Sequence, residues 1–356
     1  MNKKMQSVEK TRNAVDWYQK NRDTYKRLAL KVELIIKEIL EDSGITFHSV
    51  TSRAKDIESF AEKAAKDKYT DPKSEILDLA GVRVTAYVES DVDKICEVIE
   101  REFSIMEEHS VNKSEILKYN EVGYRSVHYV ASLNSNRVGL PEYRRLDQPF
   151  EIQVRTILQH AWAEIEHDRN YKFQGSELPI HAQIKRRFSL LAANLELIDK
   201  EFDAIVKDID SYSNEVTEST RKGRLNIPID SISLSNYLLN KLEPVSKNIF
   251  GELEMYSKSI VNELLNFGIK ELSDLDKLIN ENNLMGKIKG YGKDGKYYLS
   301  INGILRLLML LVDEEKYFKQ CYKQDWKESI DSTYLKILEE NGIDKRKLTE
   351  QLSLVN

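Results

Sequence analysis

Hydrophobic residues recur at helical spacing over the first 67 positions. Apolar residues three and four apart predict a long helix over residues 13–41, with Gly44 as its C-terminal cap. A second helix is predicted to begin after Ser52-Arg53 and to end near residue 67. The segment 69–73, which contains a proline, breaks the pattern.

Strict alternation of apolar and polar residues follows, as expected for β-strands. In the segment 76–88, Val82 and Val84 alternate with Arg83 and Thr85. The segments 125–133 and 149–155 alternate in the same way. Amphipathic helices are predicted over residues 91–103 and 156–171, so strands and helices are interspersed in this part of the chain.

A helix predicted over residues 181–210 carries a near-heptad stripe. Its apolar residues step by four and three alternately: Ile184, Phe188, Leu191, Leu195, Ile198, Phe202, Ile205 and Ile209. Such a stripe usually packs on the helix's own domain. A seam between two copies in a homo-oligomer is the alternative.

The pattern of apolar and polar residues changes after residue 210. Residues 211–230 are polar without a clear period and are predicted to be a linker. Helices are then predicted near 233–242, 246–266, 271–282, 301–322 and 326–341. We therefore expect one domain over 1–210 and a separate, mostly helical domain over 231–356, in which no motif indicates chemistry.

Composition narrows the class of protein. The 356 residues are 41% hydrophobic and 32% charged, which is enough for packed cores. A net charge of −5 argues against a generally basic nucleic-acid binder, although a local basic patch is compatible with it. The two cysteines are far apart and the N-terminus is polar, which predicts a cytoplasmic protein. The most apolar run, at 305–312, has only eight residues, which predicts no membrane contact.

One face of the predicted 52–67 helix is basic. At about 100° per residue, four side chains fall within about 80° of one another: Lys55, Ser59, Lys63 and Lys66. The opposite face is apolar, and Arg53 stands at the start of the helix. A solvated lysine face is the commoner meaning of such a pattern, and a clamp for a polyphosphate is the functional one.

Two carboxylates stand on or beside predicted strands. Asp78 opens an apolar strand, where it could cap a turn or bind Mg²⁺. Strand alternation places Glu151, Gln153 and Arg155 on one face of the segment 149–155. If Glu151 shares a cleft with Asp78, the pair is suited to a magnesium–nucleotide site.

Histidines provide two further candidates. Tyr124, Ser126 and His128 of the segment GYRSVHYV would lie on one side of a strand. Farther along, His160, Glu164 and His167 share a helical face. The order of these three residues does not match HExxH and no cysteine accompanies them, which disfavours zinc.

Four segments together resemble the synthetase domain of the RelA/SpoT family of alarmone synthetases. In family order they are SRAKDIESFAEKAAK, ILDLAGVRV, GYRSVHYV and FEIQVRTILQHAWAEIEHD. The resemblance covers roughly residues 1–210. It implies an α+β fold, a mixed β-sheet flanked by helices and akin to nucleotidyltransferases. It also implies an enzyme, a pyrophosphokinase that transfers pyrophosphate from ATP to the 3′-hydroxyl of GDP or GTP to make (p)ppGpp.

The resemblance also implies roles for residues that match the family motifs. Arg53 and Arg83 are expected to sandwich adenine, and the ATP phosphates to contact Lys55, Ser59, Lys63 and Lys66. Asp78 and Glu151 are the expected Mg²⁺ ligands, with Glu151 also the candidate base. Tyr124 is expected to stack on the acceptor base. The other expected acceptor contacts are His128, Gln153 and His160.

The identity of the acceptor stays open. Asn120 stands where small synthetases of the family usually have a lysine, and His160 stands where several members have asparagine. Toxin-type members instead pyrophosphorylate the 3′ CCA end of tRNA, and some are restrained by a C-terminal domain that senses a phage protein. A tRNA would need a basic path, for which the candidates are Lys185, Arg186, Arg187, Arg221, Lys222 and Arg224.

The absence of a hydrolase domain and the role of the C-terminal domain are also predicted. We expect synthesis without hydrolysis, since the segment before residue 50 is too short for the hydrolase domain of long family members. The C-terminal domain is expected to regulate the enzyme or to bind a protein effector. A non-catalytic nucleotide-binding protein is a third hypothesis, disfavoured because the carboxylates and the lysine set are both present.

Overall fold

The chain divides into two compact units, residues 1–206 and 207–356. The computed structural model describes residues 3–112, 126–171, 179–242, 258–289, 300–321 and 332–344. Among these residues, no helix is both long enough and apolar enough to cross a bilayer.

The N-terminal unit is built on one β-sheet. Its strands are β1 (Ser49–Ala54), β2 (Ala80–Ala86), β3 (Phe103–Ile105), β4 (Val111–Asn112), β5 (Val127–Leu133) and β6 (Phe150–Thr156). The order across the sheet is β1-β2-β6-β5-β3, and β4 pairs with β5. Strands β2 and β6 run parallel and the other pairs antiparallel, so the predicted mixed sheet is confirmed.

Helices accompany every part of this sheet. They are α1 (Lys3–Asp42), α2 (Ile57–Ala64), α3 (Pro72–Glu75), α4 (Glu89–Glu102), α5 (Ser135–Val138), α6 (Ile157–Tyr171) and α7 (Pro179–Arg221). Short 3₁₀ turns occupy Glu107–His109 and Pro141–Tyr143. Helix α1 ends as predicted, because Gly44 adopts φ +64° and its N–H donates to Glu41.

The hydrophobic core lies on one face of the sheet, under α1 and α4. Val82 and Val84 of β2 and Ile152 and Val154 of β6 are fully buried there. Because side chains alternate along a strand, the polar residues between these positions lie on the opposite face. The core therefore fixes which side chains face the candidate site.

The helix predicted to follow Ser52-Arg53 begins later than expected. Residues Ser49–Ala54 form strand β1, paired with β2 through the register Arg53↔Gly81, and α2 begins only at Ile57. Val50 and Ala54 are buried in the core, and the three residues between them are polar. The sequence therefore lacks the apolar alternation by which a strand is recognised. Tertiary pairing with β2 decides the conformation.

The predicted end of the long helix at residue 210 is also wrong, because α7 continues to Arg221. The four-and-three spacing runs on through Tyr212 and Val216, and Val216 is buried. The Tyr212 hydroxyl donates to Asp230 at 2.6 Å. Residues 211–221, predicted as linker, are therefore helical.

The described secondary structure of the C-terminal unit is helical apart from an isolated antiparallel bridge between Pro228 and Glu271. Besides the end of α7 the unit contains α8 (Ser231–Leu242), α9 (Lys258–Asn266), α10 (Leu272–Glu281), α11 (Leu284–Lys289), α12 (Ile301–Val312), α13 (Glu314–Gln320) and α14 (Ser332–Glu340). The predicted helix over 301–322 is broken at Asp313, whose carboxylate accepts from the Lys316 N–H and caps α13. Parts of the helices predicted over 246–266 and 326–341 lie outside the described residues.

Candidate active site

The candidate site lies on the polar face of the sheet, opposite the core. Strand register places Arg53 beside Gly81 and Gly81 beside Glu151. One step along, Arg83 is beside Gln153, and Gln153 is beside His128. Four strands that are distant in sequence therefore bring five of the predicted site residues onto one surface.

A pocket opens on this face between β1, β2 and β6. Its lining residues are Arg53, Lys55, Asp78, Gly81, Val82, Arg83, Glu151 and Gln153. Gly81 lies in the middle of its floor. A Cβ there would meet only the Arg53 carbonyl, at 3.9 Å, so the missing side chain leaves open space.

Two lysines converge on Asp78 at the edge of the pocket. The Lys55 and Lys63 ammonium groups each lie 2.8 Å from Asp78 Oδ2. These two charge-assisted hydrogen bonds lower the pKa of Asp78 although its burial acts in the opposite direction. The carboxylate is therefore ionised at neutral pH, and its negative charge holds the two ammonium groups close to each other.

Lys55 is fixed by its backbone as well as by its side chain. Its carbonyl accepts from the Tyr18 hydroxyl at 2.7 Å and from Arg22 Nε at 3.2 Å, both on α1. Its N–H donates to Leu79, next to Asp78. The short connection between β1 and α2 is thereby held rigidly beside β2.

The remaining members of the predicted basic face do not join this cluster. Ser59 is exposed on α2, and Lys66 is exposed beyond the end of that helix. The expectation that one helix carries all four side chains is wrong, since Lys55 precedes α2. Of the four, Lys55 lines the pocket, and Lys63 reaches the edge of the pocket through its contact with Asp78.

The two predicted Mg²⁺ ligands, Asp78 and Glu151, line the same pocket. Asp78 Oδ1 is buried and has no hydrogen-bond partner among the described residues. A buried carboxylate oxygen without a partner is suited to a cation. No group of three or more metal-ligating side chains occurs in the described chain. Mg²⁺ needs only one or two protein carboxylates when phosphate oxygens complete its shell, so these residues fit the ion.

Glu151 is held by a network on the neighbouring strand. His128 Nδ1 lies 3.0 Å from Glu151 Oε1, and the Gln153 amide donates to Oε2 at 2.8 Å. His128 Nε2 is in turn 2.8 Å from the Ser126 hydroxyl. Burial acts to raise the pKa of Glu151, but the contacts with His128 and Gln153 lower it overall. The network keeps this carboxylate ionised and both of its oxygens oriented.

Glu164 of α6 contacts two arginines of the site, although no part in nucleotide binding was predicted for it. Its Oε1 lies 2.9 Å from Arg83 Nη1 and 3.4 Å from Arg155 Nη2. The two guanidinium groups lower the pKa of Glu164 against the effect of its partial burial. The signal that could have found it is its position one helical turn after His160 on the same face.

His160 lies at the margin of this cluster. Its Nδ1 is buried without a hydrogen-bond partner in the described chain and lies 3.8 Å from Glu164 Oε1. Burial and the charge of Arg155 lower the pKa of His160, so the ring is neutral at pH 7 and makes no ion pair with Glu164. Tyr124, the predicted acceptor-base contact, and Asn120 lie outside the described residues.

Comparison with known proteins identifies relatives of this chain. Residues 52–176 match the model of the region found in RelA / SpoT proteins. The chain is 28% identical to GTP pyrophosphokinase YjbM of Bacillus subtilis (strain 168) over 168 residues, which are 46% of the chain and 74% of the relative. It is 27% identical to GTP pyrophosphokinase YwaC of the same strain over 163 residues, 45% of the chain and 73% of the relative.

Among solved structures, the chain is similar to the small alarmone synthetase 1 from Bacillus subtilis. The TM-score is 0.47 at 22% identity, and the alignment covers 55% of this chain and 99% of that one.

Proposed function

The chain carries the region found in RelA/SpoT proteins over residues 52–176, and from this premise we propose that it is an ATP-dependent pyrophosphokinase. In this proposal it transfers the β,γ-pyrophosphate of ATP to the 3′-hydroxyl of GDP or GTP and makes (p)ppGpp. The observation that carries the proposal is the convergence of Lys55, Lys63, Asp78 and Glu151 around one pocket. That set combines cations for phosphates with carboxylates for a metal and a proton.

The donor base is proposed to bind between Arg53 and Arg83. These residues lie on adjacent antiparallel strands, two positions out of register, since Arg53 pairs with Gly81. Such diagonal neighbours are about 7 Å apart, which is the gap that a planar ring fills when it touches a guanidinium on each side. Arginine is suited to this stacking because its guanidinium is flat and weakly hydrated.

The phosphates are proposed to lie over Lys55 and Lys63. With ATP bound, the two ammonium groups would neutralise phosphate charge in addition to that of Asp78, which contacts both. Mg²⁺, held by Asp78 and Glu151, would supply further neutralisation of the transferred group.

The acceptor is proposed to approach from the side of His128 and Gln153. A bond forms between the acceptor 3′-oxygen and the β-phosphorus, the bond from that phosphorus to the α,β-bridging oxygen breaks, and AMP leaves with the electron pair. Glu151 accepts the proton of the 3′-hydroxyl. Its ionised state and its orientation by His128 and Gln153 support this role.

The test is incubation of the full chain with γ-labelled ATP, Mg²⁺ and one acceptor at a time: GDP, GTP, ATP or deacylated tRNA. Label is expected on the guanosine nucleotides. Label on tRNA alone would refute the proposed acceptor and support the toxin-type alternative. The Glu151→Gln variant, which keeps the shape and removes the charge, is the matched control and should reduce transfer at least 100-fold, as expected for a group acting on the transferred proton.

The same protein tests the expectation that it makes the product without degrading it. Purified (p)ppGpp is incubated with the chain and Mn²⁺, and the product is expected to persist. Release of pyrophosphate from it would contradict this part of the proposal while leaving the transfer reaction in place.

A further inference from the structure

Helix α1 holds the segment 55–69, which contains all four residues predicted to bind the ATP phosphates. At the end of this segment, Lys10 Nζ donates to the Tyr69 carbonyl at 2.7 Å. In its middle, the ring of Tyr18 packs on that of Phe60, with centroids 4.6 Å apart. Helix α1 precedes the region of the chain that matches the family model. Its contacts with this segment are therefore features that the match does not describe.

One carbonyl of the segment accepts two hydrogen bonds from α1. The Lys55 oxygen accepts from the Tyr18 hydroxyl at 2.7 Å and from Arg22 Nε at 3.2 Å. The two donors are four residues apart, so they lie on successive turns of one helical face. Because a carbonyl oxygen has two lone pairs, both of them are used here. The peptide group that follows Lys55 is therefore oriented by two donors from one helix.

This orientation determines where the Lys55 side chain begins. Lys55 lies between the end of β1 and the start of α2, and its N–H donates to the Leu79 carbonyl. Its N–H and its carbonyl are thus both held, and its ammonium group reaches Asp78 in the pocket, at 2.8 Å. A long, flexible side chain loses less freedom on binding a ligand when its attachment is already fixed.

Arg22 contacts both residues of this connection without lining the pocket itself. Besides the Lys55 carbonyl, it lies near the carboxylate of Asp56, at 3.8 Å from Nη2 to Oδ1. Asp56 is the N-cap residue of α2. The Arg22 side chain is 35% exposed, whereas Tyr18 is fully buried. Removal of the Arg22 side chain therefore leaves no cavity in the core, and an effect on the pocket can be separated from an effect on the fold.

We propose that Arg22 is a positioning residue for phosphate binding. It acts through the Lys55 carbonyl and holds the Lys55 ammonium group where the phosphates of the donor nucleotide bind. This role rests on the proposed function, in which those phosphates lie over Lys55 and Lys63. Since the base binds elsewhere in the pocket, Arg22 affects the affinity for the triphosphate and not the affinity for the nucleoside.

The experiment is titration of the full chain with two probes, followed by NMR. One probe is α,β-methylene ATP, whose α,β bridge is not broken by transfer, and the other is adenosine, which has no phosphate. Arg22→Ala should weaken binding of α,β-methylene ATP about tenfold and leave that of adenosine within about twofold. Arg27→Ala is the matched control, because it removes the same charge from an exposed position on the same helix. It should leave both affinities within about twofold of those of the unaltered chain.

A double-mutant cycle tests whether Arg22 acts through Lys55. Lys55→Ala removes the ammonium group and keeps the carbonyl, so adding Arg22→Ala to this variant should weaken binding of α,β-methylene ATP by less than about twofold. A loss of about tenfold in both backgrounds would overturn the proposal, because Arg22 would then act independently of Lys55. Urea unfolding shows that each variant is folded under the conditions of the titration.

The two probes also separate this inference from the proposed function. Equal losses of affinity for α,β-methylene ATP and for adenosine in Arg22→Ala would overturn the positioning role. Unchanged binding of α,β-methylene ATP to Arg22→Ala would overturn that role alone and leave the proposed function in place. An unaltered chain that does not bind α,β-methylene ATP would overturn both.

Discussion

The guanidinium of Arg83, which lines the candidate nucleotide pocket, lies 2.9 Å from the carboxylate of Glu164, and this ion pair connects strand β2 to helix α6. Arg83 also lies near Arg53 and Arg155, whose positive charges repel its own. Glu164 is the carboxylate that pairs with both Arg83 and Arg155 in the described chain. It therefore offsets the repulsion among the arginines and holds the Arg83 side chain in one orientation.

Glu164→Gln is predicted to weaken ATP binding with little effect on the rate of transfer. The amide removes the charge that orients Arg83 but leaves Glu151 and Asp78 in place. An exposed ion pair of this type contributes about 1 kcal/mol, so KM for ATP should rise about fivefold while kcat stays within about twofold. Steady-state kinetics at saturating acceptor measure both constants.

The control for this prediction is Glu166→Gln. Glu166 is on the same helix but points about 160° away from Glu164, and the change should leave KM for ATP unaltered. A fall in kcat with unchanged KM in Glu164→Gln would contradict the positioning role.

The sequence identifies most residues of this site but not how they converge. Periodicity correctly predicts β2, β5 and β6, because their alternate residues are buried or polar over six or seven positions. It misassigns β1, where the continuous basic pattern from Arg53 to Lys66 resembles one helical face. The actual convergence of Lys55 and Lys63 depends on Asp78, to which both lysines bond across 23 and 15 residues of sequence.

The pairing of strands that are distant in sequence cannot be predicted from local sequence patterns. The parallel contact of β2 with β6 sets Gly81 beside Glu151 and Arg83 beside Gln153, 70 residues apart in each case. The sequence places Glu164 on the same helical face as His160 and His167, but it does not show that this face meets strand β2. Its role is evident only once α6 is placed next to β2.

Asp78→Asn is predicted to destabilise the protein in a pH-dependent way. The pKa of Asp78 is lowered from 3.8 in the folded state, so the unfolded chain takes up this proton more readily. The stabilisation is therefore present above about pH 4 and is lost as pH falls through the folded-state pKa. Losing charge-assisted hydrogen bonds from two lysines should lower the free energy of unfolding by about 2 kcal/mol at pH 7.

Urea unfolding of the two proteins at pH 7 and at pH 3 measures this difference, which should shrink at the lower pH. Asp56→Asn is the control, because the Asp56 side chain is 71% exposed and lies 3.8 Å from its partner Arg22. It should change the free energy of unfolding by less than about 0.5 kcal/mol. An Asp78→Asn effect that grows toward pH 3 would show that the sign of the linkage is wrong.

Gly81→Ala is predicted to impair ATP binding without destabilising the fold. The backbone of Gly81 is not in the left-handed region, and an added Cβ meets only the Arg53 carbonyl, at 3.9 Å. The methyl group would occupy the floor of the pocket between Arg53 and Glu151. KM for ATP should rise about tenfold, which corresponds to about 1.4 kcal/mol, and the midpoint of urea unfolding should stay constant or rise.

Gly44→Ala supplies the contrasting control. Gly44 has φ +64° and nothing within 4 Å of an added Cβ. The strained backbone should lower the free energy of unfolding by about 1 kcal/mol, while KM for ATP stays unchanged. Equal effects of the two substitutions on KM would indicate that Gly81 acts through stability alone.

Glu263→Gln is predicted to destabilise the C-terminal unit. Glu263 is 2% exposed, and Arg306 donates to it through two hydrogen bonds, of 2.9 and 2.7 Å. The Tyr317 hydroxyl donates to the same carboxylate at 3.2 Å. Removing one partner of such a buried pair leaves the guanidinium uncompensated and should cost about 3 kcal/mol.

Because well-packed apolar residues can replace a buried ion pair, Glu263→Leu/Arg306→Met should be more stable than Glu263→Gln. Hydrogen exchange of the full chain localises the effect: protection should fall in α9, α12 and α13, which contain the network, and stay constant in β2 and β6. Synthesis assays on the same variant test the regulatory role predicted for this unit. If it restrains the enzyme, Glu263→Gln should raise the rate of transfer, whereas an unchanged rate despite lost protection would contradict regulation by this unit.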